Sequence, residues 1–211
     1  VMVEPKKTKE RILQAAAVLF DAKGFNGTTV RQIAEAAGVN LALISYYFQG
    51  KQGLLESLLT EYFEKFFQIL SKEEATNQGA HPSYRLEQMV RLYVLYQQEH
   101  AAVTRVVQRE LSVESMLARE VMTLYIHRWK HHFATVIEEG IELGEFRNVP
   151  IDPLLLSMSS LLIYPYLNPQ SVREVYYLEP GSVEFSEWLT SATIQLLRSL
   201  LMSSENVRES C

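Results

Sequence analysis

The sequence predicts an all-α fold in two domains, on three observations. Apolar residues recur at intervals of three and four along nearly the whole chain, the spacing of one helix face. No stretch alternates apolar and polar residues as a half-buried strand would. Glycine and proline fall mostly where those periodic stretches stop, as at Gly24, Gly38, Gly144 and Pro150. With 211 residues, 47% of them apolar, there is ample material for a core.

The first domain is expected over residues 1–52. Residues 1–7 read as a short basic arm, and Thr8 as the cap of a first helix with Ile12, Leu13, Ala16, Leu19 and Phe20 on its buried stripe. Gly24 ends that helix. Thr28 and Thr29 offer hydroxyls to the free N–H groups of a second helix, where Val30, Ile33, Ala34 and Ala37 form one apolar face. Gly38 supplies a left-handed turn, and Leu41 to Phe48 forms a third helix that buries Leu43, Ile44, Tyr47 and Phe48. Two short helices across a glycine-containing turn make a helix-turn-helix, whose second helix enters the DNA major groove.

Charge is divided in a way that suits such a motif. The chain carries −5, yet residues 1–52 hold seven lysines and arginines against four acids, a surplus of three that leaves −8 for the rest. A basic head on an acidic body is expected of a DNA-binding domain joined to one that does not bind DNA.

The second domain is expected over 53–211. Leu54, Leu55, Leu58, Leu59, Tyr62, Phe63, Phe66 and Phe67 line a broad fourth helix, and Asn77 to Pro82 breaks the chain. Helices are then expected over 85–99 and 101–111, with a long one over 113–143. Asp152 is expected to cap a helix that Pro165 stops near Tyr164. Residues 168–181 read as a loop, and a last helix spans 182–202. The helix around Leu154, Met158, Leu161 and Leu162 is apolar on nearly every side, and so needs burial on every side. Trp188, Leu189, Leu196, Leu197 and Leu200 repeat along the last helix, and the two together are the candidate seam of a homodimer.

Other constellations carry less. His127 and His131 stand at i, i+4, a spacing that can chelate a metal, but Arg128 and Lys130 crowd them and no carboxylate or cysteine completes a set. No metal and no cofactor are expected. Arg105, Arg109, Glu110, Arg119 and Glu120 form a candidate surface for a protein partner, against the commoner reading of a solvated face. Catalysis finds no support: Gly50-Lys51-Gln52-Gly53 lacks the upstream glycine and following Ser/Thr of a phosphate loop, and there is no G-x-S-x-G. The single cysteine, Cys211, suits a reducing cytoplasm. No signal-peptide pattern opens the chain. The apolar run from Pro153 to Leu167 is too short and too broken to span a membrane.

The segment KERILQAAAVLFDAKGFNGTTVRQIAEAAGVNLALISYYFQGKQGLL resembles the N-terminal domain of the TetR family of bacterial transcriptional regulators, element by element. It shares Phe20, Gly24-Phe25, Thr28-Thr29, Ile33-Ala34, Ala37-Gly38-Val39, Phe48, Lys51 and Leu54-Leu55 with that pattern. One departure stands out. The family's usual Leu-Tyr-x-His-Phe is here Ile44-Ser45-Tyr46-Tyr47-Phe48, which leaves open which side chain meets phosphate and which meets a base.

The resemblance implies a TetR-like homodimer on a roughly palindromic site, dimerised through its last two long helices. Thr28, Thr29, Lys51 and Arg31 would meet phosphates, and Asn40, Leu41, Ala42, Ser45, Tyr46 and Tyr47 the groove. It also implies a body that can enclose a small-molecule effector. Further, RVVQRELSVESMLAREVMTLYIHRWK and the SYYF ending are similar to family members of spore-forming bacilli that bind DNA near the chromosome origin and regulate the division protein FtsZ. Two outputs are thus expected as alternatives: action on a protein partner, or ligand-released repression.

Overall fold

A computed structural model describes residues 5–202. Among them every regular element is helical: α1 (Pro5–Lys23), α2 (Val30–Ala37), α3 (Leu41–Phe48), α4 (Lys51–Thr76), α5 (Pro82–Glu99), α6 (Ala101–Leu111), α7 (Met116–Val121), a π-helical segment Met122–Ile126, α8 (His127–Glu142), α9 (Ile151–Leu167), α10 (Pro169–Tyr176) and α11 (Val183–Leu201). Expectations for residues 1–4, and for the tail that ends in Cys211, lie outside the described residues.

The chain forms two compact units. The first takes the described residues up to Lys65 together with Ala102–Val121, and the second takes Phe66–Ala101 with Met122 onward. This division does not coincide with a boundary at 52/53, because part of α4, most of α6 and α7 cluster with the first three helices.

In the first unit Ile12, Ala16, Phe20, Ile33, Ile44, Leu54 and Leu59 are almost wholly buried. Two hydrophilic ties join segments distant in sequence. Arg11 donates to the carbonyls of Ala37 and Gly38, and the Tyr62 hydroxyl lies 3.0 Å from that of Thr104. Gly38 is favoured by its backbone. Its φ of +62° is left-handed, and a Cβ there would stand 3.0 Å from the Arg11 guanidinium.

The second unit is built on α5, which packs against both α8 and α11. A file of aromatic rings runs through it: Phe66 to Tyr93 at 5.2 Å, Tyr93 to Trp129 at 5.8 Å, Trp129 to Phe133 at 4.6 Å. Burial, with Tyr166 nearby, pushes the Tyr93 phenol far above its ordinary pKa, so it stays neutral. Arg85 pairs with Glu139 at 2.6 Å, Arg198 with Glu87 at 2.6 Å, and Arg147 closes the end of α11 on the carbonyls of Ser199 and Leu200.

Five local expectations need correction. α1 begins at Pro5, so Thr8 is a buried interior residue and not a cap. The expected long helix over 113–143 is instead α7, the π-helical segment and α8. Its buried residues Val121, Tyr125, Trp129 and Phe133 recur every fourth position. Such a spacing overruns an α-turn by about 40° each step, and one wider turn restores the face. Asp152 lies within the first turn of α9 and pairs with Lys130 at 2.8 Å instead of capping. Pro165 sits inside the last turn of α9, which continues to Leu167. Residues 169–176, read as loop, form α10 with proline at its first position, where a missing N–H costs nothing.

Candidate nucleic-acid interface

α2 and α3 are held by local chemistry that leaves one face of α3 outward. Thr29 is the N-cap of α2: its hydroxyl accepts from the Gln32 N–H at 3.3 Å, and the Gln32 side chain accepts from the Thr29 N–H at 2.9 Å. The reciprocal pair is a capping box, and it fixes where α2 begins. Asn40 caps α3, its Oδ1 accepting from the Ala42 N–H at 2.9 Å.

Within α3, Ile44 and Phe48 are buried and tie the helix to the core. Leu41, Ala42, Ser45 and Tyr46 are exposed on the opposite side, contiguous at i, i+1, i+4 and i+5. Tyr46 stands 78% exposed. Tyr47 is half-buried, edge-on between the rings of Tyr46 and Phe48. The face expected at the groove is therefore presented as one patch, with Asn40 exposed at its N-terminal end.

The phosphate set divides. Thr29 and Arg31 are exposed at the start of α2. Thr28 is 1% exposed, and its hydroxyl donates to the carbonyls of Gly24 at 2.8 Å and Leu19 at 3.1 Å. It closes the α1–α2 connection, and the expectation of a phosphate ligand there is corrected. Lys51 is also engaged. Its Nζ donates to the carbonyls of Phe25 at 2.9 Å and Thr28 at 3.0 Å, and lies 4.3 Å from the centre of the Phe25 ring. Two of its three donors hold the fold, which leaves one for a phosphate. Gly53 follows in the first turn of α4, where a Cβ would meet the Phe48 carbonyl at 2.0 Å. Only glycine lets α4 start that close to the end of α3.

The candidate seam also divides. Leu154, Met158, Leu162, Leu189 and Leu197 are buried within the chain itself, so their side of α9 and α11 already serves their own core. Leu161 is half-buried, while Trp188, Leu196 and Leu200 are exposed at 50%, 38% and 39%. Sequence reasoning missed Leu156, Tyr164 and Leu167, which are exposed on α9. Their spacing of eight and three, filled by serines, marks a stripe that the surrounding leucines hide.

Of the candidate partner surface, Arg105 is largely taken up by the fold, while Arg109 is exposed at 45% with one bond back to it. Arg105 is bound to Asp21, and Arg109 donates to the Phe20 carbonyl at 3.1 Å. Glu110 is half-buried, and desolvation raises its pKa above the ordinary carboxylate range against the opposing effect of Arg109. Arg119 and Glu120 are exposed on α7. His132 stacks on Phe67 and lies 2.8 Å from Glu74, whereas His127 and His131 face solvent. No group of three metal-ligating side chains occurs among the described residues, and no described helix is long and apolar enough to cross a membrane.

Capped α2, a left-handed glycine turn and an outward-facing α3 define a helix-turn-helix DNA-binding protein. Residues 12–58 match the family model for bacterial regulatory proteins of the tetR family, and residues 79–167 match that of the tetracyclin repressor-like C-terminal domain. The chain is 41% identical to the probable HTH-type transcriptional regulator YttP of Bacillus subtilis, over 84% of this chain and 86% of that one. It is 26% identical to the HTH-type transcriptional repressor NicS of Pseudomonas putida, over 92% of each chain. Among solved structures, a tetR-family regulatory protein from Rhodococcus RHA1 shares the fold with a TM-score of 0.71, at 23% identity over 89% of this chain and 95% of that one. The chain belongs to the TetR family of DNA-binding transcriptional regulators.

Proposed function

We propose that this chain acts in the cytoplasm, on the nucleoid, as a homodimeric regulator that binds a roughly palindromic DNA site, with residues 1–52 carrying recognition. The observation that carries this reading is the outward patch Leu41, Ala42, Ser45 and Tyr46, on a helix whose opposite side is buried and whose start is capped. Thr29 and Arg31 supply phosphate contacts beside it, and the remaining donor of Lys51 adds one more. The dimer seam is the stripe of Leu156, Leu161, Tyr164, Trp188, Leu196 and Leu200. Two symmetric heads reading two half-sites follow from a twofold axis at that seam. Footprinting on genomic fragments tests this: one protected twofold-symmetric site bound by a dimer supports it, and protection by a monomer on an asymmetric site overturns it.

Two outputs remain as separate proposals. Ligand-released repression is supported by the named repressors among the relatives, such as NicS. Action on a protein partner, as in RefZ-like regulators of FtsZ, rests on exposed Arg109, Arg119 and Glu120, since Arg105 is mostly buried against Asp21. Genome-wide mapping of bound sites separates them. Sites at promoters with transcriptional change favour repression, and sites clustered by chromosome position without it favour the partner.

A further inference from the structure

The groove-facing patch has an unusual chemistry for a reader of DNA. Residues 41–48 are Leu-Ala-Leu-Ile-Ser-Tyr-Tyr-Phe, with no arginine, lysine, asparagine, glutamine, aspartate or glutamate. Those absent residues make the side-chain pairings that tell bases apart by hydrogen bonds: arginine or lysine on guanine, asparagine or glutamine on adenine, carboxylates on cytosine. The one amide at the helix start is Asn40, and its Oδ1 is turned back onto the Ala42 N–H at 2.9 Å. A bidentate contact to adenine needs both ends of that amide at the base edge, and would cost α3 its cap. The basic residues of the head lie on other elements, Arg31 on α2, Lys51 on α4 and Lys9 on α1 over the Phe48 ring. From there they serve phosphates, which position a protein without selecting sequence.

At its N-terminal end α3 presents apolar surface, with the hydroxyls of Ser45 and Tyr46 a turn further on. The N-terminal residues of a recognition helix are the ones that reach base edges. Here they are Leu41, 45% exposed, and Ala42, also exposed. Ala42 and Ser45 are neighbours at i, i+3, both small, so the helix axis can lie close to the groove floor and bring Leu41 within contact distance. Ser45 can bond to any base edge and so discriminates little. The only apolar group that a base pair offers in the major groove is the thymine C5 methyl.

We propose that this regulator selects its half-site through thymine methyl groups, with Leu41 and Ala42 as the specificity-determining side chains. The inference rests on the reading that α3 enters the major groove. Selectivity then comes from shape and dryness around a methyl group, not from a hydrogen-bond code.

The test uses the full chain and a duplex selected by it from a randomised library. Each thymine of the selected half-site is replaced by uracil, which lacks only the methyl, and cytosine at silent positions by 5-methylcytosine as a control for added bulk. Uracil at the contacted thymine should weaken binding about fourfold per methyl, and about fifteenfold when both half-sites are changed, the worth of one and two buried methyl groups. Leu41→Ala, at an exposed position that leaves the fold intact, should bind thymine and uracil duplexes nearly alike. Tight, sequence-specific binding that is indifferent to every uracil substitution would overturn this inference and leave the proposed function standing. Failure to enrich any duplex would overturn both.

Discussion

The guanidinium of Arg105 grips the carboxylate of Asp21, 84 positions away in sequence, through three hydrogen bonds at 2.9, 3.1 and 2.5 Å. Both side chains are mostly buried, 25% and 18% exposed, and Arg109 adds a bond to the neighbouring carbonyl of Phe20. The pair ties α6 to α1 within one compact unit, alongside the buried Thr104, Val106 and Val107 of α6.

Removing it should cost stability and not only charge. Asp21→Ala removes the carboxylate that accepts all three of these hydrogen bonds, and should lower the unfolding free energy by about 1–3 kcal/mol in urea titrations. Arg109→Glu sets a carboxylate beside Asp21 and should destabilise as well. Glu120→Lys, at an exposed position, should leave both the urea midpoint and DNA affinity within error. That variant can therefore report on a protein partner through a cellular phenotype.

Thr28 and Lys51 should part company in binding experiments. Thr28→Ala loses a hydroxyl whose one proton is shared between two carbonyls, and should lower stability by about 1–2 kcal/mol while the salt dependence of DNA binding stays unchanged. Lys51→Ala should lower stability by a similar amount, through its two carbonyl bonds and its place over Phe25. It should also reduce the salt slope by about one unit, through the donor left for a phosphate. An unchanged slope for Lys51→Ala would make that lysine purely structural.

The seam can be tested without unfolding the chain. Leu196→Glu or Leu156→Glu, at exposed positions, should give a folded monomer by sedimentation, because a charge would be buried only on association. Leu197→Glu should instead abolish folding, since Leu197 is 3% exposed in the single chain. Dimers persisting in both exposed variants would remove this face from the interface.

Glu110 should make stability depend on pH in a defined direction. Its pKa is raised in the folded chain, chiefly by desolvation, so folding favours the protonated form. Its contribution is then full below the unfolded pKa of about 4.3 and is lost as pH rises through the higher folded value. Glu110→Gln removes that loss. Melting temperatures of variant and parent should converge in acid, and the variant should be the more stable near neutrality.

The head was legible because its signals are local. Val30–Ala37 and Leu41–Phe48 match the stretches that sequence reasoning chose, since Gly38 must be left-handed; the cap that Asn40 supplies to α3 was not foreseen, though an Asn before an apolar run signals one. Between Thr28 and Thr29 the deciding signal was Gln32, three residues after Thr29, which completes the box with one threonine and frees the other to turn inward. Lys51 was harder: nothing in its neighbours reveals that two carbonyls from residues 25 and 28 converge on it. In the body, leucines on all sides of α9 could not say which side its own core would claim. The π-helical segment was visible as a run of fours, but only tertiary burial makes that run count.

The division of labour within α3 has a consequence for how such a regulator changes its target. Ile44 and Phe48 secure the helix, while Asn40 and Gly38 set its entry; Leu41, Ala42, Ser45 and Tyr46 are exposed, and Tyr46 touches the core only through Tyr47. A replacement among those four alters what is recognised and leaves the scaffold nearly untouched, since exposed substitutions away from caps usually shift stability by under about 0.5 kcal/mol. Drift to a new operator, by natural descent or by deliberate retargeting, can thus proceed one side chain at a time through variants that all fold.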